Sequence, residues 1–253
     1  MLDTQTQKKL TVMTEGGRHL AETRQKLIDM VKPGISLAQI DQQAEKLLLA
    51  TGGEPAFKRV PGYSWSTCIN LNQGIVHGIP DNTIIQDGDL VSIDVGLYFQ
   101  GYYTDTSTST IAGTAQPSLE KFLEIGRQAL KDGIAAAIIG NRSGHISAAI
   151  EESLAAHNLY AIPSLTGHGV GHELHELPYI PGLLIGKLKK TPTLYLGQTL
   201  AIEIIYTPGS TDIITESDGW TISTKDGTIS GLFEETVVVL EEGPEILTAY
   251  HHS

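Results

Sequence analysis

Leu90-Val91-Ser92-Ile93-Asp94-Val95 and Leu200-Ala201-Ile202-Glu203-Ile204-Ile205 are two apolar runs, each interrupted by one acid. Gly88 precedes the first and Gly197 the second, so glycine and acid recur together at an offset of 109 residues. Two other segments repeat at nearly the same distance. Gly17-Arg18 returns as Gly126-Arg127, and Gly34 with Ile40-Asp41 returns as Gly144 with Ile150-Glu151. One such pair could be chance. A steady offset of 109 or 110 across three separated segments points to two similar halves with an acid at the same place in each, rather than to a mixed α+β unit with coincidental matches.

The elements between these markers come in the same order twice. Over residues 6–30 Leu10, Met13, Leu20, Leu27 and Met30 fall on one face of a helix, which Pro33-Gly34 ends. Ser36 caps a second helix through residue 50, with Ile40, Ala44, Leu47 and Leu48 inward. The period then changes: residues 67–71, 90–99 and 102–111 are rich in Ile, Val, Tyr and Thr and predict strands. Pro117 opens a third helix running toward Ile139, a fourth spans 144–157, and strands return. Paired helices and strand meanders favour an α+β fold, an antiparallel sheet with helices on one side. No linker is evident, so residues 1–253 are expected to form a single domain with halves at about 5–112 and 117–240.

Composition narrows the function. A net charge of -12 argues against a nucleic-acid surface, which needs clustered Lys and Arg. No run approaches the roughly 20 apolar residues of a membrane helix, and the charged first thirty residues contain no signal peptide. One cysteine, Cys68, gives neither a disulfide nor a thiolate cluster; a reducing, cytoplasmic setting is expected.

The acids carry the chemistry. Asp105 follows Asp94 by eleven residues, and a hairpin turning at either Phe99-Gln100 or Gln100-Gly101 leaves both on one sheet face, directly opposed or diagonal. Glu203 repeats the situation. In Leu232-Phe233-Glu234-Glu235-Thr236 two adjacent glutamates point to opposite faces, so only one can join the site and the other reads as a solvated surface charge whose loss is mild. Two unit charges about 4 Å apart repel by roughly 4 kcal/mol even at an effective dielectric near 20. Converging carboxylates therefore need cations, unless each pairs with an Arg or Lys. Only 17 basic residues are available, and none lies near these strands in the pattern. An oxygen-rich set with one imidazole suits cobalt, manganese, iron or zinc.

The imidazole comes from Gly167-His168-Gly169-Val170-Gly171-His172-Glu173-Leu174-His175-Glu176, where alternate glycines prevent a helix and let the chain pass close to other groups. His168 is the expected nitrogen ligand. His172-Glu173-Leu174-His175 is one residue short of the zincin motif, and the glycines lack dinucleotide-fingerprint spacing. Cys68 in a strand reads as packing rather than as a nucleophile.

Val76-His77-Gly78-Ile79-Pro80, Ser92-Ile93-Asp94-Val95-Gly96, Thr104-Asp105, Gly167-His168-Gly169-Val170-Gly171, Asp218-Gly219-Trp220-Thr221 and Glu234 before Thr236 together resemble the type I methionine aminopeptidases of peptidase family M24, across nearly the whole chain. The resemblance implies the pita-bread fold, two pseudo-symmetric helix-and-strand halves. It implies two divalent metal ions held by Asp94, Asp105, His168, Glu203 and Glu234, with Asp105 and Glu234 bridging. It also implies catalytic roles for His77, His175 and Glu203, and a side-chain pocket of Phe57, Val60, Tyr63, Cys68, Leu174 and Trp220. Implied partners are the N-termini of nascent polypeptides, with the ribosome as a meeting place, and the chain is expected to be a monomer. Ile204, His172 and Val60, which replaces a common aromatic, depart from the family pattern, and His172, beside the active site, is the first place to look for altered specificity. The same histidine-rich run resembles Xaa-Pro peptidases of the same fold. A pita-bread binding protein without catalysis would lack ligands that this chain has.

Overall fold

The computed structural model describes residues 2–250; residue 1 and residues 251–253, the extremities of the expected domain, lie outside the described residues. The first half opens with α1 (Thr4–Met30), whose N-terminus is capped by Asp3 accepting the Thr6 N–H at 2.8 Å. Met13, Leu20 and Leu27 form its buried stripe. In α2 (Leu37–Ala50) Ser36 and Gln39 make a capping box, the outcome that Ser36 predicts. β1 (Glu54–Pro55), β2 (Thr67–Leu71), β3 (Gly74–Val76), β4 (Leu90–Phe99) and β5 (Tyr102–Ile111) follow.

The second half repeats the plan with α3 (Pro117–Ala135) and α4 (Ser143–Ala155), then β6 (Tyr160–Ala161), β7 (Thr166–Gly169), β8 (Glu176–Pro181) and β9 (Thr199–Thr207). A small insertion, β10 (Ile213–Thr215) and β11 (Ile222–Thr224), precedes β12 (Gly231–Leu240) and β13 (Gly243–Ile246). α3 stops short of the expected Ile139 because Ile138 and Ile139 face solvent and have no core to hold them helical.

Ten strands form one antiparallel sheet in the order β1-β4-β5-β12-β9-β7-β8, with β2 on β4, β6 on β9 and β13 on β12; β10, β11 and β3 make a second, small sheet. The duplication is visible in this order. β1 pairs with β4 as β6 pairs with β9, and isolated bridges Ser36–Ile84 and Arg142–Thr193 mark the starts of α2 and α4 alike. The two halves meet where β5 lies beside β12.

Strand alternation then separates the chemistry from the core. Val91 and Ile93 pack with Leu27, Ile40 and Ala44 of the first helix pair. Ile202, Ile204 and Phe233 pack with Leu130, Ile134, Ile146 and Ile150 of the second. Asp94, Asp105, Glu203 and Glu234, one residue out of phase, occupy the opposite face. The hairpin turns at Gln100-Gly101, since Phe99 pairs with Tyr102; of the two anticipated registers this is the diagonal one, with Asp94 opposite Ser107 and Gly96 opposite Asp105.

The seam between the halves is held largely by hydroxyls. β5 and β12 share the register pair Glu234–Ser107. Beside it the Thr236 hydroxyl accepts the Asp105 N–H at 2.9 Å and donates to the Asp105 carbonyl at 2.7 Å, while Ser109 Oγ accepts the Leu232 N–H at 2.9 Å.

Glu235 corrects one expectation. It does point away from Glu234, but that side of the sheet is covered by α1 rather than by water, and Arg24 of α1 donates to its Oε1 at 2.8 Å with both side chains nearly buried. A basic residue therefore does reach these strands, and it pairs with the acid outside the site. Removing one partner of a buried pair strands the other's charge. Glu235→Ala is accordingly expected to lower unfolding free energy by about 3 kcal/mol or more, measured as a shift in the urea midpoint, rather than to be mild.

Candidate metal centre

The acid face of the sheet floors a cavity of about 360 Å³. Asp94 and Asp105 enter it from the β4–β5 hairpin, Glu203 from β9, Glu234 from β12 and His168 from β7. Glu203 and Glu234 are direct cross-strand partners, and His168 pairs with Ala201, two residues before Glu203 on the same strand. Register therefore brings together ligand candidates that are up to 140 residues apart in the chain (Asp94 to Glu234).

Local backbone makes the room. At Gly96 a side chain would meet Ala56 Cβ at 2.8 Å and Asp105 Oδ1 at 3.3 Å, so glycine two residues after Asp94 leaves space for the second acid. Around His168, β7 is squeezed between neighbours: a Cβ at Gly167 would lie 2.7 Å from the Ala201 carbonyl, and one at Gly169 2.5 Å from that of Leu177. The alternate glycines are thus required by close backbone approach.

Asp105, His168 and Glu234 offer ligand atoms that all lie within 4.8 Å of one another, and all three residues are buried. His168 Nδ1 is 2.9 Å from the Gly169 carbonyl, which can only accept, so Nδ1 carries the proton and Nε2 presents its lone pair 4.0 Å from Glu234 Oε1. Burial, with His175 adding to it, lowers the His168 pKa to about 4, so the ring is neutral at neutral pH and the contact with Glu234 is not an ion pair.

The acids are electrostatically frustrated. Burial above all pushes Asp94 up to about 7. Burial, then the charges of Asp94 and Glu203, hold Asp105 well above the carboxylate range. Glu203 is raised by burial and Asp94, and Glu234 by burial and then by Asp105, Glu203 and Asp94. Asp94 and Glu203 keep some accessible surface, which opens into the cavity; surrounding protein, not bulk water, dominates their environment. Among the described residues no Lys or Arg pairs with any of the four. Asp94 Oδ1 and Glu234 Oε1 are buried without a hydrogen-bond partner. Orphaned oxygens, mutual repulsion and a neutral imidazole are the donor set a divalent cation fits.

Every other site residue expected from sequence lines the same cavity: His77 and His175, and Phe57, Val60, Tyr63, Cys68, Leu174 and Trp220. His77 adopts φ +57°, a left-handed conformation uncommon for a side chain other than Asn, Asp or His. The His168 and His175 rings meet edge-on at 4.4 Å. Tyr63 and Trp220 pack edge-to-face at 5.1 Å, and the Asp218 carboxylate accepts the Trp220 and Thr221 N–H groups at 2.8 Å, which fixes the tryptophan loop. Burial, then the nearby Asp94 charge, holds the Cys68 thiol well above its usual pKa, as a packing role requires.

Of the departures from the family pattern, Val60 lines the cavity, whereas Ile204 and His172 lie off it. Ile204 is fully buried on the helix side of the sheet. His172 is exposed against the Tyr102 ring, 4.7 Å away, and does not line the pocket. Sequence reasoning did not assign Val76, Ser164, Leu165, Thr166, Tyr179 and Ile205 to the site, although they also line the cavity; none is ionisable in a telling pattern, and no signal marked them as lining.

Residues 11–241 match metallopeptidase family M24. Methionine aminopeptidase 1 of Bacillus subtilis is 37% identical over 248 residues, covering 98% of this chain and 99% of its own. The crystal structure of a methionine aminopeptidase from Thermotoga maritima superposes with a TM-score of 0.94 at 32% identity, over 99% of this chain and 100% of that one. A prolidase from Pyrococcus furiosus shares the fold alone, at a TM-score of 0.75 and 21% identity, with 65% of its length covered against 97% of this chain. With its acids, histidines and glycines placed as described and its whole length matched, the chain belongs to metallopeptidase family M24, among the methionine aminopeptidases.

Proposed function

We propose that this metallopeptidase removes the N-terminal, initiator methionine from nascent polypeptides, with two divalent ions held by Asp94, Asp105, His168, Glu203 and Glu234. The observation that carries the reading is the set of four repelling, partly orphaned carboxylates beside a neutral His168, opening directly onto an apolar pocket. Asp105 and Glu234, on adjacent central strands, are suited to bridging. Residues 5–112 and 117–240 act as halves of a single catalytic domain, 1–253. A monomer working in the cytoplasm, meeting its substrates at the ribosome, completes the reading.

When bound, divalent ions supply Lewis-acid polarisation and a water nucleophile at neutral pH. The chain's own residues do the rest. The Nδ1 proton of His168, held by the Gly169 carbonyl, keeps Nε2 free for coordination. Glu203, whose carboxylate lines the cavity on β9 beside Glu234, is placed to move a proton between the attacking water and the leaving amine. Burial keeps His77 and His175 neutral at neutral pH, so each can donate an N–H to charge developing on the scissile carbonyl without adding a cation. Phe57, Val60, Tyr63, Cys68, Leu174 and Trp220 enclose an unbranched, polarisable side chain; sulfur against the Tyr63 and Trp220 rings suits methionine.

Met-Ala-Ser and Ala-Pro-Ala peptides, assayed side by side with cobalt, manganese, iron and zinc, test the reading. Methionine release is expected to be the faster by at least about 100-fold, the scale of a well-discriminating pocket. Faster cleavage of Ala-Pro-Ala would favour an Xaa-Pro peptidase, which the histidine-rich run and the shared prolidase fold suggest. Asp105→Ala and His168→Ala are expected to abolish turnover in folded protein, as judged by unchanged circular dichroism. Retained turnover after chelation would exclude the metal mechanism, and no turnover by the unaltered protein with any metal would favour a binding protein.

The raised acids also set a pH dependence. In metal-free protein they bind more protons folded than unfolded, so stability is present below the unfolded carboxylate range and is lost as pH rises through about 7, the folded value for Asp94. His168 has the opposite sign, but acts only below its unfolded value of about 6.5. Between about pH 6 and pH 8 the melting temperature of metal-free protein is expected to fall by about 3 °C or more. Saturating metal should remove most of this slope in differential scanning calorimetry.

A further inference from the structure

Glu235 and Arg24 have no part in the chemistry above, yet they lie directly behind it. Arg24 donates through Nη1 to Glu235 Oε1 and to Thr106 Oγ1, and through Nη2 to the Thr248 carbonyl at 3.2 Å. The Thr106 hydroxyl in turn donates to the Glu234 carbonyl at 2.9 Å. Thr248 donates to Glu235 Oε2 and accepts the Thr236 N–H at 2.9 Å; Thr236 is the residue whose hydroxyl grips the Asp105 backbone. Thr106, Thr236 and Thr248 are completely buried.

Two features separate this network from an ordinary internal ion pair. Thr106 follows Asp105 in β5 and Glu235 follows Glu234 in β12, so the guanidinium joins the chain neighbours of both carboxylates proposed to bridge the ions. It does so across the seam where β5 and β12 meet, beside the register pair Glu234–Ser107. Both contacts run through Nη1, whose two N–H bonds have fixed directions in the guanidinium plane, while Nη2 anchors that plane on the Thr248 carbonyl; a flexible ammonium lacks the second anchor.

We propose that Arg24 and Glu235 are positioning residues that fix the spacing of Asp105 and Glu234 across the seam, and through it the affinity and geometry of the metal site. This rests on the proposed ligand set. A pair acting only on stability would leave metal affinity untouched once both charges are removed together, because a buried pair replaced by apolar residues is often tolerated.

Arg24→Leu/Glu235→Leu, Arg24→Lys and the unaltered protein are each stripped of metal and titrated with Co(II) by calorimetry and by visible absorption, with melting temperatures recorded for the metal-free forms. The double variant is expected to unfold cooperatively near the parent's temperature, to bind Co(II) about 10-fold more weakly, the usual scale for groups that orient ligands, and to shift the cobalt bands. Arg24→Lys, keeping the charge without the fork, is expected to lose at least about threefold, part of that scale. Unchanged affinity and bands in the double variant would overturn the proposal. If the double variant does not fold, unchanged affinity and bands in Arg24→Lys would overturn it. Absence of Co(II) binding by the unaltered protein would instead count against the ligand set itself.

Discussion

Four carboxylates converge on one cavity where, among the described residues, no Lys or Arg pairs with them, and the rest of the structure depends on that constraint. Like charges in low dielectric drive each other toward protonation, and each is worth several times its repulsion in water. A fold that keeps them there must hold them rigidly against repulsion and leave room for cations that compensate it. The antiparallel sheet does the first, because every acid sits on a strand paired on both sides or beside the central seam. The cavity, the neutral His168 and the orphaned oxygens of Asp94 and Glu234 are what the second requires.

The duplicated halves follow from the same demand. One half brings Asp94 and Asp105 on a hairpin, and the other brings Glu203 and Glu234 on β9 and β12, so juxtaposing β5 and β12 completes a set that neither half holds alone. The helices then cover the opposite face and bury Ile93, Ile202, Ile204 and Phe233 against two similar helix pairs. Function and packing are thus divided by the two-residue period of the strands. Asp94 and Glu203 are each flanked in sequence by residues of the core, Ile93 and Val95 or Ile202 and Ile204, which explains why lone charges sit inside otherwise apolar runs.

Much of this was legible in the sequence because strand alternation and the repeat are local signals. β2, β4 and β5 occupy the residues that alternation predicts, and the two hairpin registers both left Asp94 and Asp105 on one face, so the conclusion survived an undecided turn. Glu234 was harder. Its counterpart Asp105 lies 129 residues earlier rather than 109, since β10 and β11 are inserted before β12, and the repeat alone does not find it. What the sequence hid was the far side of the sheet. Glu235 looked solvated because alternation says only that it faces away from Glu234, and nothing in the pattern places Arg24, 211 positions away, against it. The orientation of His172 was hidden too: its place between His168 and His175 does not show that the loop turns its ring outward onto Tyr102.

The ligand set can be tested without reference to catalysis. Crystals grown with cobalt or manganese and measured at the metal absorption edge report directly where the ions lie. The account predicts two anomalous-scattering peaks enclosed by Asp94, Asp105, His168, Glu203 and Glu234, with Asp105 and Glu234 touching both. An empty cavity under metal saturation, or peaks held by other residues, would contradict it.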